Sequence, residues 1–114
     1  MNLNEILTNT LSQVAPVEAD AYEGKRAIYI TFNYDTLPTN YGDDEPVCEL
    51  ALVQVHLYAP AGKDTRKLRR GVKAALALAG LTWPSCTNAS DKQGQHYVFE
   101  CEYIAAVGAV EWES

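Results

Sequence analysis

The stretch from Val47 to Tyr58, VCELALVQVHLY, constrains the fold more than any other. Alternate residues of a strand face opposite sides of its sheet. One face here carries Val47, Ala51, Val53, Val55 and Leu57; the other carries Cys48, Leu50, Leu52, Gln54, His56 and Tyr58. Both are largely apolar, so the strand is predicted to be central, with cover on both sides over at least its first half. The chain has 114 residues, the length of one domain (1–114) with one modest core. The remaining pattern supplies two helices, so a neighbouring subunit is one source of the second cover.

Leu3, Ile6, Leu7, Leu11 and Val14 form one helical stripe. Asn2, with Glu5 three residues on, has the form of a capping box, and Pro16 stops the helix. After PVEADAYEGKR, with Gly24 as the turn, Ala27–Tyr34 reads as a strand with Ile28, Ile30, Phe32 and Tyr34 on one face and Tyr29, Thr31 and Asn33 on the other. Asp35 to Pro46 is then expected as a loop, longer than the roughly two to five residues usual in a hairpin. Past the turn APAGKD, Asp64 is expected to cap a helix reaching about Ala79, ended by Gly80. Its inner arc is Leu68, Gly71, Val72, Ala75, Leu76, Leu78 and Ala79. Its outer arc is Arg66, Arg69, Arg70 and Lys73, with Lys67 at the margin.

LTWPSCTNAS reads as a short strand kept at a sheet edge by Pro84, and DKQG as a turn. Gln95–Ala106 is the last strand, with Tyr97, Phe99, Cys101 and Tyr103 inward and His96, Glu100 and Glu102 outward. Residues 107–114 are expected to be a tail that is flexible or packs on a neighbour. The predicted class is α+β in the order α-β-β-α-β-β: a mostly antiparallel sheet of about four strands with two helices packed on one face.

A net charge of −6 argues against a general nucleic-acid binder, which needs a basic surface. No apolar run reaches the roughly 18 residues of a membrane span, and MNLNEILTNTLSQV lacks the basic and continuous apolar regions of a signal peptide. Cys48, Cys86 and Cys101 are odd in number and form no CxxC pair, so neither a disulfide framework nor a structural zinc is expected. In strand-like runs cysteine is expected as a small buried hydrophobe, in keeping with a reducing cytoplasm.

Catalytic chemistry finds little to work with. His56 and His96 lie on different strands. Cys48 and His56 share a strand face but stand roughly 26 Å apart at about 3.3 Å per residue. Cys101 and His96 have opposite parity. No HxxxH, GxSxG or Walker-type loop is present, so no enzyme, catalytic residue or cofactor is expected. Asp43, Asp44 and Glu45 read either as a cation site or as a solvated loop tip; calcium loops space their ligands at alternate positions instead.

Charge is unevenly placed: six of the nine Lys and Arg residues lie between Lys63 and Lys73. Three readings of the basic arc stay open. It is a solvated face, a subunit interface, or a phosphate-contacting helix. In the second, the acidic stretch of one copy meets the basic helix of the next, a head-to-tail contact that can close into a ring.

The run YITFNYDTLPTNYGDDEPVCELALVQVHLYAP, followed by the alanine-rich helix with a basic outer face, resembles the small tail-terminator (tail-completion) proteins of long-tailed phages and prophages, the broad group of the lambda tail terminator. The carrying words are FNY (Phe32, Asn33, Tyr34), VQVHLYAP (Val53 to Pro60) and the earlier APVEADAYEG, over roughly residues 3–105. The resemblance implies a non-enzymatic structural protein without a cofactor. Such a protein forms a homo-oligomeric, typically hexameric, ring at the head-proximal end of the tail, ending tube growth and joining tail to head. Implied partners are the chain itself, the tail tube protein and the head–tail connector protein. DNA only passes through the lumen, and no membrane is involved. The implied location is the virion tail, with the host bacterial cytoplasm during assembly. The family carries no catalytic set to transfer. Asp43, Asp44, Glu45, Arg66, Arg69, Arg70 and Lys73 are the interface candidates, and the alternative is a small prophage regulator contacting nucleic acid through the helix at 64–79.

Overall fold

The structure is a computed structural model that describes residues 2–18, 24, 26–42 and 45–106, with side chains described except at 38–42, 45–47, 105 and 106. The elements are α1 (Leu3–Leu11), β1 (Tyr29–Gly42), β2 (Glu45–Ala59), α2 (Arg66–Leu78), β3 (Ser85–Asn88) and β4 (Gln95–Ala106). They form an α+β fold in the expected order. The sheet is antiparallel with strand order β1-β2-β4-β3, so β2 is internal and the Pro84 strand is at an edge.

The Asn2 side chain caps α1, accepting the Glu5 N–H at 2.8 Å. Leu3, Leu7 and Leu11 are fully buried along the stripe. The helix stops at Leu11, and the Val14 N–H bonds to the Leu11 carbonyl at 2.9 Å in a tightened last turn. Val14 therefore packs from beyond the helix. A Cβ added at Gly71 would lie 3.2 Å from Val14 Cγ1, so the glycine is what lets α2 approach the turn that follows α1. The core lies between the helices and one sheet face: Ile30, Val53, Val55, Leu57 and Phe99 from the strands meet Val72 and Leu76 from α2. Each such side chain contributes roughly 1.5–3 kcal/mol through burial.

Three expectations are corrected. The described part of Asp35 to Pro46 is strand, not loop. β1 runs on to Gly42 and β2 begins at Glu45, pairing Asp35 with Leu52, Thr39 with Cys48 and Gly42 with Glu45. Alternation of apolar residues fades after Tyr34, where Asp35, Thr36 and Leu37 are all exposed, and Pro38 is tolerated because β1 is an edge strand. Asp43 and Asp44, between the two strands, lie outside the described residues, as does the 107–114 tail.

Asp64 is not the N-cap of α2. Thr65 holds that position, and its hydroxyl is turned to Gln95 at 2.8 Å. Asp64 instead accepts the Arg66 N–H from one residue further out, at 3.1 Å.

Leu78 is not on the inner arc. At about 100° per residue it stands roughly 140° from the line of Val72 and Leu76, and it is 89% exposed. The helix does end as expected. Gly80 has φ 97°, its N–H reaches the Ala77 carbonyl, and the Leu81 N–H reaches that of Leu76, both at 3.1 Å, closing a Schellman motif.

Candidate interaction face

The side of the sheet opposite the helices is the feature that calls for a function. Pairing aligns its outward residues in rows across β1, β2 and β4: Tyr29–Tyr58–His96, the more buried Thr31–His56–Val98, then Asn33–Gln54–Glu100, Asp35–Leu52–Glu102 and Leu37–Leu50–Ile104. Among the described residues no helix covers it. Leu37 is 47% exposed, Leu52 41%, Ile104 55%, and Trp83 at its border 66%. Among the described residues, the two-faced apolar strand thus has one face buried and the other partly open, with Leu50, His56 and Tyr58 half-buried and Leu52 exposed.

One end of this face is aromatic. The Tyr29 and Tyr58 rings stack at 4.7 Å, and Tyr58 and His96 at 4.4 Å. His56 Nδ1 lies 2.9 Å from His96 Nε2, so one ring donates and the other accepts. Sequence parity put His96 outward and His56 on the second face of a different strand, and only the register of β2 against β4 shows that they touch. Burial, and then the charge of His56, holds the His96 pKa below its ordinary value, with Asp91 opposing. The unfolded chain therefore binds the extra proton first as pH falls. Stability is expected to be full above the unfolded value, about 6.5, and to be lost progressively as pH drops from there through the lower folded value. Thermal melts between pH 7.5 and 5.5 should show a falling midpoint, and His96→Gln should flatten that slope.

The middle of the face is acidic. Asp35, Glu100 and Glu102 surround Leu52 in a concavity of about 640 Å³ bordered by Trp83, and among the described residues no Lys or Arg lines it. On the far side of the molecule, α2 carries the basic cluster, where the cations are not equivalent. Arg66 is paired with Asp64 at 2.9 Å, and its guanidinium and backbone N–H hold that carboxyl well below the usual carboxylate range. Arg69 does not point outward. Its guanidinium carbon lies 4.6 Å from the centroid of the Tyr97 ring, and its Nε–H donates to Thr65 Oγ1 at 3.2 Å. Arg70 is exposed and Lys73 half-buried.

Of the acidic interface candidates, Asp43 and Asp44 lie outside the described residues, and Glu45 opens β2 with its side chain undescribed. β2 itself runs roughly 46 Å from Glu45 to Ala59 at about 3.3 Å per residue, and six residues separate its end from α2.

Gln95 gave no signal in the sequence, yet it fastens the start of α2 to the sheet. Its Oε1 accepts from Thr65 Oγ1 at 2.8 Å and from the Tyr97 hydroxyl at 3.1 Å. Its Nε2 donates to the carbonyls of Pro60 at 2.8 Å and Lys63 at 2.6 Å.

Among the described residues no three His, Cys, Asp or Glu side chains gather as a metal site. The three cysteines are free: Cys101 is buried, Cys48 half-buried and Cys86 exposed. Burial, helped by the charge of Glu102, pushes the Cys101 thiol up to about 11. Thiolate is the reactive form, so alkylation of the native protein at pH 8 should modify Cys86 about 100-fold or more faster than Cys101. Peptide mass mapping checks this.

No protein-family model matches the chain, and no curated protein matches it. Among solved structures, one similar chain superposes with a TM-score of 0.54 at 12% identity, over 90% of this chain and 94% of that one. At that identity the likeness concerns the fold alone. No described helix is long and apolar enough to cross a membrane.

Proposed function

We propose that this chain is a non-enzymatic phage structural protein of the tail-terminator type. It assembles as a homo-oligomeric ring of about six copies at the head-proximal end of the tail, ends tail-tube growth and joins tail to head. Its partners are further copies of itself, the tail tube protein and the head–tail connector protein, with DNA passing through the lumen. It acts in the virion tail, after assembly in the host cytoplasm. The observation that carries this reading is the partly open sheet face over β2. Exposed apolar patches rimmed by polar groups mark interaction surfaces, and here the residues beneath belong to the central strand of the fold. The elongated outline, 54 × 23 × 22 Å, presents that face along the length of the molecule.

A regulator contacting nucleic acid through α2 draws less support. Arg66 is already engaged by Asp64 and Arg69 by Tyr97, which reduces the cations offered to phosphate.

Light scattering across a concentration series, in low and high salt, tests the proposal. The expected result is a closed oligomer near six copies that weakens with salt. A strict monomer at every concentration overturns it, and DNA binding by that monomer with steep salt dependence would put the regulator in its place.

A further inference from the structure

We infer that the acidic concavity on the open sheet face of one copy receives the cationic outer face of α2 from the next copy. This rests on the homo-oligomer reading and names the two surfaces that would meet.

The two surfaces lie on opposite sides of the sheet, so one protomer can offer both at once. A contact between unlike patches is heterologous, and it repeats from copy to copy until the rotation closes a ring. The chemistry also runs in the same order along both. On β4 the outward residues are Glu100 and Glu102, then Ile104, with Leu37 and Leu50 in the same row as Ile104. On α2 the outer residues are Lys67 and Arg70, then Ala74 and the exposed Leu78. From Lys67 to Leu78 is about 16 Å of helix, and from Glu100 to Ile104 about 13 Å of strand. Cations therefore face carboxylates while the apolar end of the helix reaches the apolar end of the sheet. Ala74, exposed and small, lets the helix approach closely.

The net charge strengthens the case. Chains of charge −6 repel one another, so self-association requires a local match of opposite sign. Asp35, Glu100 and Glu102 provide one sign, with no Lys or Arg among the described residues of the concavity. The Lys67 and Arg70 side chains make no ion pair among the described residues and provide the other. Leu52, Trp83 and Leu78 would lose their solvent exposure in such a contact.

Two double variants test the contact: Glu100→Lys with Glu102→Lys, and Lys67→Glu with Arg70→Glu. All four positions are exposed, and circular dichroism confirms that each variant folds. Each alone is expected to need at least about tenfold higher concentration than the wild type to assemble in low salt. An equimolar mixture is expected to restore assembly, because every reversed sheet face can then meet an unlike helix. A wild-type oligomer accompanied by double variants that each assemble normally alone, or by a mixture that does not, overturns the contact and leaves the ring standing. A wild type that stays monomeric throughout removes both.

Discussion

Phe99→Ala is expected to cost roughly 3–5 kcal/mol of folding stability, through lost transfer free energy and the cavity left behind. Phe99 is fully buried on the inward face of β4. It pairs with Val55 on one side and Cys86 on the other, between the long strand β2 and the short edge strand β3. The surrounding shell comes from a sheet and two helices, which cannot collapse together into the space. A domain of this size has a total stability of about 5–15 kcal/mol, so the variant should approach the unfolding threshold. Urea denaturation followed by far-UV circular dichroism reads the shift. A loss below about 1 kcal/mol would contradict the placement of Phe99 at the centre of the core.

Gln95→Ala is expected to cost about 2 kcal/mol, large for a half-exposed position. The substitution removes four hydrogen bonds at once, and one partner, Thr65, is only 1% exposed. Its hydroxyl is left to the Arg69 guanidinium alone among the described residues. The damage should be local. The amide of Arg69, bonded to the Thr65 carbonyl, should exchange with solvent faster, while amides in β2 change less. Gln95→Glu separates the roles of the two ends of the side chain. It keeps an acceptor for Thr65 but loses the donors to Pro60 and Lys63, and should fall between wild type and alanine. Because this clasp fixes where α2 begins, its loss should also weaken any assembly that uses Lys67 and Arg70.

Much of the architecture can be read from short-range pattern. The capping of α1 by Asn2, the inward set Tyr97, Phe99 and Cys101, the central position of β2 and the turn at Gly80 all rest on local periodicity or backbone chemistry. The hairpin extension from Asp35 to Gly42 does not, because strand pairing there is set by the partner strand and not by burial. Leu78 shows the opposite failure. It is an apolar residue at nearly helical spacing, yet outside the arc that the sheet covers. The candidate face was half visible. Parity placed Glu100, Glu102 and His96 outward, but their alignment with Asp35, Leu52 and His56 depends on register, which no single strand encodes. Arg69 was unreadable for a related reason, since its partner Tyr97 lies on a distant strand.

The edges of the sheet bear on how copies can avoid running together. β3 offers only Ser85–Asn88. Beside β1, the segment after α1 has already taken the first position: the Glu18 N–H bonds to the Ile30 carbonyl, and the Ile30 N–H to that of Pro16, both at 2.8 Å. Further along, Asp35 places a charge on the strand and Pro38 supplies no N–H. Short, charged or proline-bearing edges are poor templates for a foreign strand. Among the described residues, fibril growth by strand addition therefore has no long uninterrupted edge to start from. Among the same residues, the exposed apolar side chains Leu37, Leu52 and Ile104 project from a face of the sheet and not along its edges.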